Sequence, residues 1–193
     1  MTKLRPLIDS LNKKLLQFGV FNQHVAVDEC MVPYHGHHSS KMCIRDKPIR
    51  FGYKLWVLAS SDGFPFKIDV YSGKSTDDSG TPLGMRVVKE LTSCLVDKSL
   101  YNVYMDNFFT SEKLLSEMRK HGLSVTGTVR SNRVGGCPLT PQKQFKKTER
   151  GTMEAYGDGK VIMPTIGSQN LVDCCVTFEI LFIYSNEFSY HNL

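Results

Sequence analysis

Six cysteines lie at 30, 43, 94, 137, 174 and 175, and no two of them form a C-x-x-C pair. The 193-residue chain is also too long to be a small disulfide scaffold. The cysteines therefore read as reduced thiols, mostly core fillers, in a nuclear or cytosolic protein. Long apolar runs are absent too. The most apolar stretch, "CCVTFEILFIY" at 174–184, is eleven residues with Glu179 inside it, too short to span a bilayer. The opening "MTKLRPLIDSLNKKLL" lacks an apolar core with a cleavage site, so the expectation is a chain that is not secreted. There is no nucleophile elbow, no phosphate-binding glycine loop and no H-E-x-x-H helix, and Gly135-Gly136 reads as a turn. Internal repeats and low-complexity tracts are missing as well.

What is present suits one ordinary α/β domain. Hydrophobic residues make up 41% of the chain, enough for a core. The net charge of +5 is unevenly spread. From Arg119 to Arg150 there are eight Lys/Arg (119, 120, 130, 133, 143, 146, 147, 150) against Glu149, a local +7. Such a flank suits a phosphate backbone, although a solvated Lys/Arg loop has the same composition.

Periodicity orders the chain. Leu4, Leu7, Ile8, Leu11, Leu15 and Phe18 recur at helical spacing. The run 24–34 reads as a strand, and "IRFGYKLWVLAS" (49–60) as a second one rich in aromatic and β-branched residues. Asp62-Gly63 signals a hairpin into a third strand at 66–73. A helix is predicted over roughly 84–96, with Met85, Val88, Leu91 and Leu95 on one face. "YNVYMDNF" (101–108) reads as a buried strand. The helix after it has Thr110 or Ser111 as cap, Glu112 at its positive end, and Arg119, Lys120, His121 and Gly122 at its close. A fifth strand follows at 123–130. The order β-β-β-α-β-α-β after a leading helix implies a mixed sheet flanked by helices. Beyond Gly135 the chain reads as a basic loop and then a hairpin around Gly157-Asp158-Gly159.

Two acids stand out. Asp28 follows Val25-Ala26-Val27 and Asp106 follows Val103-Tyr104-Met105, so each is expected where a strand leaves the sheet. Strand ends are where open α/β sheets place ligands. The bland alternative is a turn or cap residue, and spacing alone leaves both open. Two carboxylates converging at 4 Å would repel by about 4 kcal/mol at an effective dielectric of 20. Such a pair calls for a proton or a hard divalent cation, and a two-metal phosphodiester site needs a third carboxylate. His35, His37 and His38 are weaker metal candidates. Adjacent strand positions face opposite ways, and no Cys/His pair at zinc spacing accompanies them. They read as a polar loop. Trp56 is expected to pack a sheet rather than stack bases.

In order and spacing, "VDECMVPYHGHHS", "KPIRFGYKLWVL", "VYSGK", "YMDNFFTSEKLLSEM" and "GTVRSNR" resemble the piggyBac-type transposase domain. The resemblance runs from about Leu4 to Met163. It implies a ribonuclease-H-like core and a DDE/D cut-and-paste transposase acting on DNA with Mg²⁺. Asp28 and Asp106 match the family's first two catalytic aspartates, which would ligate the metals. The family's third acid is not identified: Asp158 lies in a Gly-Asp-Gly turn, and Asp173 in "LVDCCV" does not match its context. Where the family carries Gly-Arg after the first strand, Gly36 is followed by His37.

The resulting expectation is a partial transposase domain over 1–163, cut short before its core is complete, with a divergent tail over 164–193. The domain would be a domesticated, catalytically silent one, retaining DNA or protein binding through residues such as Arg130, Arg133, Lys146 and Lys147. An active Mg²⁺-dependent transposase and an unstable fragment are the alternatives. Nuclear residence follows from the family, with no membrane association.

Overall fold

The computed structural model describes residues 4–45, 48–71, 73, 80–129, 133, 136–138, 140, 142–145, 147–149, 151–157, 161–166 and 172–177. The chain forms two compact units, Met1–Asp97 and Lys98–Leu193.

The first unit contains α1 (Arg5–Phe18), β1 (His24–Pro33), β2 (Met42–Cys43), β3 (Phe51–Ser60), β4 (Pro65–Val70) and α2 (Leu83–Thr92). The long strand β3 is its centre. Strand β1 runs antiparallel along one edge of β3, from Val25↔Ser60 to Pro33↔Gly52. The other edge of β3 takes β4 and the two-residue β2. Alternation along β3 buries Gly52, Lys54, Trp56, Leu58 and Ser60 on one face. Helix α2 packs on β3 and β4 through Met85, Val88 and Leu91, all at most 2% exposed.

This helix ends earlier than its apolar spacing predicts. The Thr92 hydroxyl bonds back to the Val88 carbonyl at 2.8 Å and the Ser93 hydroxyl to the Glu90 carbonyl at 2.7 Å. Such side chains compete with the helical ladder. Leu95 is still buried, beyond the last turn.

Helix α1 packs on β4 while Leu7 and Phe18 stay largely exposed. Its key contact is polar. The Asn12 side chain donates to the Ile68 carbonyl and accepts from the Ile68 N–H, both at 2.9 Å. One amide thus occupies both backbone groups of an edge-strand residue, which blunts that edge against further pairing.

The second unit contains β5 (Asn102–Met105), α3 (Glu112–Lys120), β6 (Ser124–Thr128), the single-turn α4 (Gln142–Phe145), β7 (Met153–Gly157), β8 (Val161–Ile166) and β9 (Val172–Thr177). Its strand order is β5-β6-β9-β8-β7. Strands β5 and β6 are parallel, joined by α3, and the remaining pairs are antiparallel. The mixed sheet and the β7–β8 hairpin agree with the sequence reading, while the turn residues 158–160 of that hairpin lie outside the described residues.

Helix α3 has the predicted ends. Ser111 Oγ accepts from Leu114 N–H at 3.3 Å. At the other end, Gly122 N–H reaches Arg119 O at 2.8 Å and Leu123 N–H reaches Met118 O at 3.1 Å. This paired closure needs a left-handed residue, and Gly122 supplies it at φ +81°. Leu114, Leu115 and Met118 fill the core below.

Candidate catalytic aspartates and basic flank

Asp28 belongs to the first unit and does not end a strand, contrary to the sequence expectation. It lies in the middle of β1, directly opposite Val57 on β3. The local rule against Asp in a strand yields because its side chain is on the exposed face, and because its Oδ1 accepts the Glu29 N–H at 2.7 Å. Val25 and Val27, each 1% exposed, anchor the opposite face.

Glu29 points to the buried face, as alternation predicts. There it pairs with Lys54, whose ammonium also lies 4.0 Å from the centre of the Trp56 ring. The pair is partly desolvated, with side-chain exposures of 18% and 10%. It favours the register of β1 on β3, because a slip of one residue would turn Glu29 to the face opposite Lys54.

Asp106 belongs to the second unit and does end its strand. Its Oδ1 accepts the Phe108 N–H at 2.9 Å, an Asx turn. Its own carbonyl accepts the Thr110 hydroxyl at 2.7 Å and the N–H groups of Phe109 and Thr110 at 3.3 and 3.2 Å. Thr110 is fully buried. Asp106 is thus the turn residue that the sequence allowed. Gly127 completes the seat. It lies level with Met105 on the parallel neighbour, and a Cβ there would strike the Thr110 hydroxyl and come within 2.9 Å of the Met105 carbonyl.

Both aspartates offer hard, exposed oxygens of the kind that Mg²⁺ prefers. A complete cage needs more: among the described residues, no group of three His, Cys, Asp or Glu side chains could hold a metal ion. Asp173 is a β9 residue, opposite Thr165 of β8, and Asp158 lies outside the described residues. The described residues therefore supply no complete two-metal cage.

His35, His37 and His38 are exposed in the loop after β1. His38 Nδ1 accepts the Ser40 N–H at 3.1 Å, and Lys41 Nζ donates to the carbonyls of His35 and Gly36 at 3.4 and 3.1 Å. Tyr34 and Tyr53 face each other at 4.9 Å. Desolvation, then the neighbouring Tyr34, pushes the Tyr53 phenol up. Trp56 is 2% exposed and packs the sheet, as expected.

Of the four basic residues singled out in the flank, Arg130 and Lys146 lie outside the described residues, and Lys147 is exposed. Arg133 is exposed but engaged: its Nη1 donates to the carbonyls of Asn107 and Phe108 at 2.7 and 3.1 Å. The structure thus brings Arg133 to the Asp106 turn, 27 positions away in sequence, and no local pattern signals that meeting. The flank is also tied to β7. Glu154 accepts the N–H and hydroxyl of Thr140, each at 3.1 Å, and the Tyr156 hydroxyl at 2.8 Å. The bond to Glu154 pushes the Tyr156 phenol up.

Comparison with known proteins places these features in a family. The family model described as Transposase IS4 matches residues 1–190. The human PiggyBac transposable element-derived protein 3 is 39% identical over 163 residues, 82% of this chain and 28% of the relative. The human PiggyBac transposable element-derived protein 2 is 35% identical over 156 residues, 79% of this chain and 26% of the relative. The chain thus spans less than a third of the length of these relatives. Among solved structures, a piggyBac transposase in a synaptic complex with hairpin DNA, determined by cryo-electron microscopy, aligns with 98% of this chain at a TM-score of 0.79 and 25% identity. The match covers 38% of that transposase chain. The mixed α/β architecture is accordingly the ribonuclease-H-like fold of that enzyme.

Proposed function

This chain belongs to the piggyBac-type Transposase IS4 family, and from that premise we propose that it is a transposase-derived domain that contacts DNA without cutting it by itself. The observation that carries this reading is the match of 98% of the chain to a transposase determined with hairpin DNA. The +7 stretch from Arg119 to Arg150 adds the electrostatics that a phosphate backbone requires. In this reading Asp28 and Asp106 are the inherited first and second acids. Strand cleavage in the family uses a divalent cation, and no third acid is identified among the described residues. Nuclear residence is part of the same proposal. Among the described residues, no helix is long and apolar enough to cross a membrane.

The test is fluorescence anisotropy with hairpin and linear duplexes. Affinity should fall linearly on a log–log plot between about 50 and 200 mM salt. Replacing Arg130, Lys146 and Lys147 together by Gln should make the slope shallower by about 2–3. A chain that shows no salt-dependent association with either duplex contradicts the proposal.

A further inference from the structure

The Asn107–Phe108 peptide group is held at both ends. Its N–H donates to Asp106 Oδ1 at 2.9 Å. Its carbonyl oxygen, on Asn107, accepts from Arg133 Nη1 at 2.7 Å. One peptide plane therefore links a guanidinium to a carboxylate. The same nitrogen also reaches the next carbonyl, Phe108 O, at 3.1 Å.

We propose that Arg133 is a positioning residue for Asp106: it fixes the Asn107–Phe108 peptide so that its N–H pins one carboxylate oxygen. The relevance of that carboxylate rests on the reading of Asp106 as an inherited site acid.

A charged donor on a carbonyl makes a stronger hydrogen bond than a neutral one. Hydrogen bonds through a shared peptide polarise one another, so the Arg133 contact strengthens the N–H bond to Asp106. The buried Thr110 hydroxyl bonds the Asp106 carbonyl, and Gly127 lies close against that hydroxyl. Those contacts fix the backbone of Asp106 itself. Arg133 holds the peptide whose N–H meets the side chain. In composition Arg133 is one more basic residue of the flank, but its geometry commits Nη1 to protein carbonyls.

Two variants of the full chain, Arg133→Met and Arg133→Lys, test this by amide hydrogen exchange and by the salt slope of DNA association. In Arg133→Met the Phe108 amide should exchange about tenfold faster. The Val125 amide in β6 should keep its protection, and the DNA salt slope should not change. Arg133→Lys keeps the charge and should restore part of the Phe108 protection. Unchanged Phe108 exchange with a slope lower by about one would make Arg133 a phosphate contact and overturn the proposal. Equal acceleration of Phe108 and Val125 would make it a general stabiliser, which also overturns it. If neither parent nor variants associate with DNA, the functional reading fails while the exchange data still decide the role of Arg133.

Discussion

Asp28 and Asp106, which we propose as two acids of one inherited set, are placed by the fold by different means. Asp28 is placed by a ladder. It sits mid-strand, and its position depends on the long pairing of β1 with β3 and on the Glu29–Lys54–Trp56 cluster behind it. Asp106 is placed by a turn. A short strand delivers it, and a set of local hydrogen bonds plus one distant arginine set its side chain. A laddered residue is lost only when a sheet slips. A turn residue can lose its orientation while the sheet around it remains intact.

This difference can be broken most forcefully at Trp56. Trp56→Ala removes a ring that is 2% exposed, sits opposite Glu29 and lies under the Lys54 ammonium. The expected loss is about 3–5 kcal/mol, read by denaturant unfolding, with β1 amides losing protection together. Lys54→Met should cost less, about 2 kcal/mol, since Glu29 would be left in a partly desolvated site. Solvent reaching that site discounts the full buried-pair figure. In the second unit, Thr110→Val keeps the shape and removes the hydroxyl bond to the Asp106 carbonyl. About 1 kcal/mol is expected, with exchange rising at Phe109 and Thr110 while β6 stays protected. A global loss comparable to that of Trp56→Ala would erase the distinction between ladder and turn.

The smallest effect concerns a third aspartate, Asp69, which lies on the same face as Trp56, opposite the one that carries Asp28. Burial pushes its carboxyl up, partly countered by a backbone bond and by Arg5 and Lys67. A raised native value means that the folded state holds the proton longer, so this group's contribution falls as pH climbs from the ordinary carboxylate range through the folded value. Asp69→Asn should therefore raise the thermal midpoint slightly at pH 7, and the gain should vanish near pH 3. A gain of equal size at both pH values would remove burial as the cause.

Elements whose signals are local were readable in the sequence. The β3–β4 hairpin is announced by Asp62-Gly63, and α3 by Ser111 at one end and Gly122 at the other. The β7–β8 hairpin is announced by its glycines. What was not readable depends on partners far along the chain. The strand role of 172–177 exists because β6 and β8 flank it, and composition marks that stretch only as apolar. Asp28 looks like a strand end because Asp is a poor strand former, yet the long pairing with β3 carries the strand past it. Arg133 shows the same limit at the site. Eight basic residues in one segment look alike by count, and the fold shows that Arg133 grips the Asp106 turn.

The proposed function has this chain contact DNA and, alone, leave it intact. The most direct measurement is a denaturing gel of end-labelled hairpin and transposon-end duplexes incubated with the chain and Mg²⁺ or Mn²⁺, beside Asp28→Asn and Asp106→Asn. The predicted result is bound, uncut DNA in all three, with affinity unchanged or slightly higher once a negative charge is removed. A metal-dependent cleavage product that disappears with either substitution would contradict it.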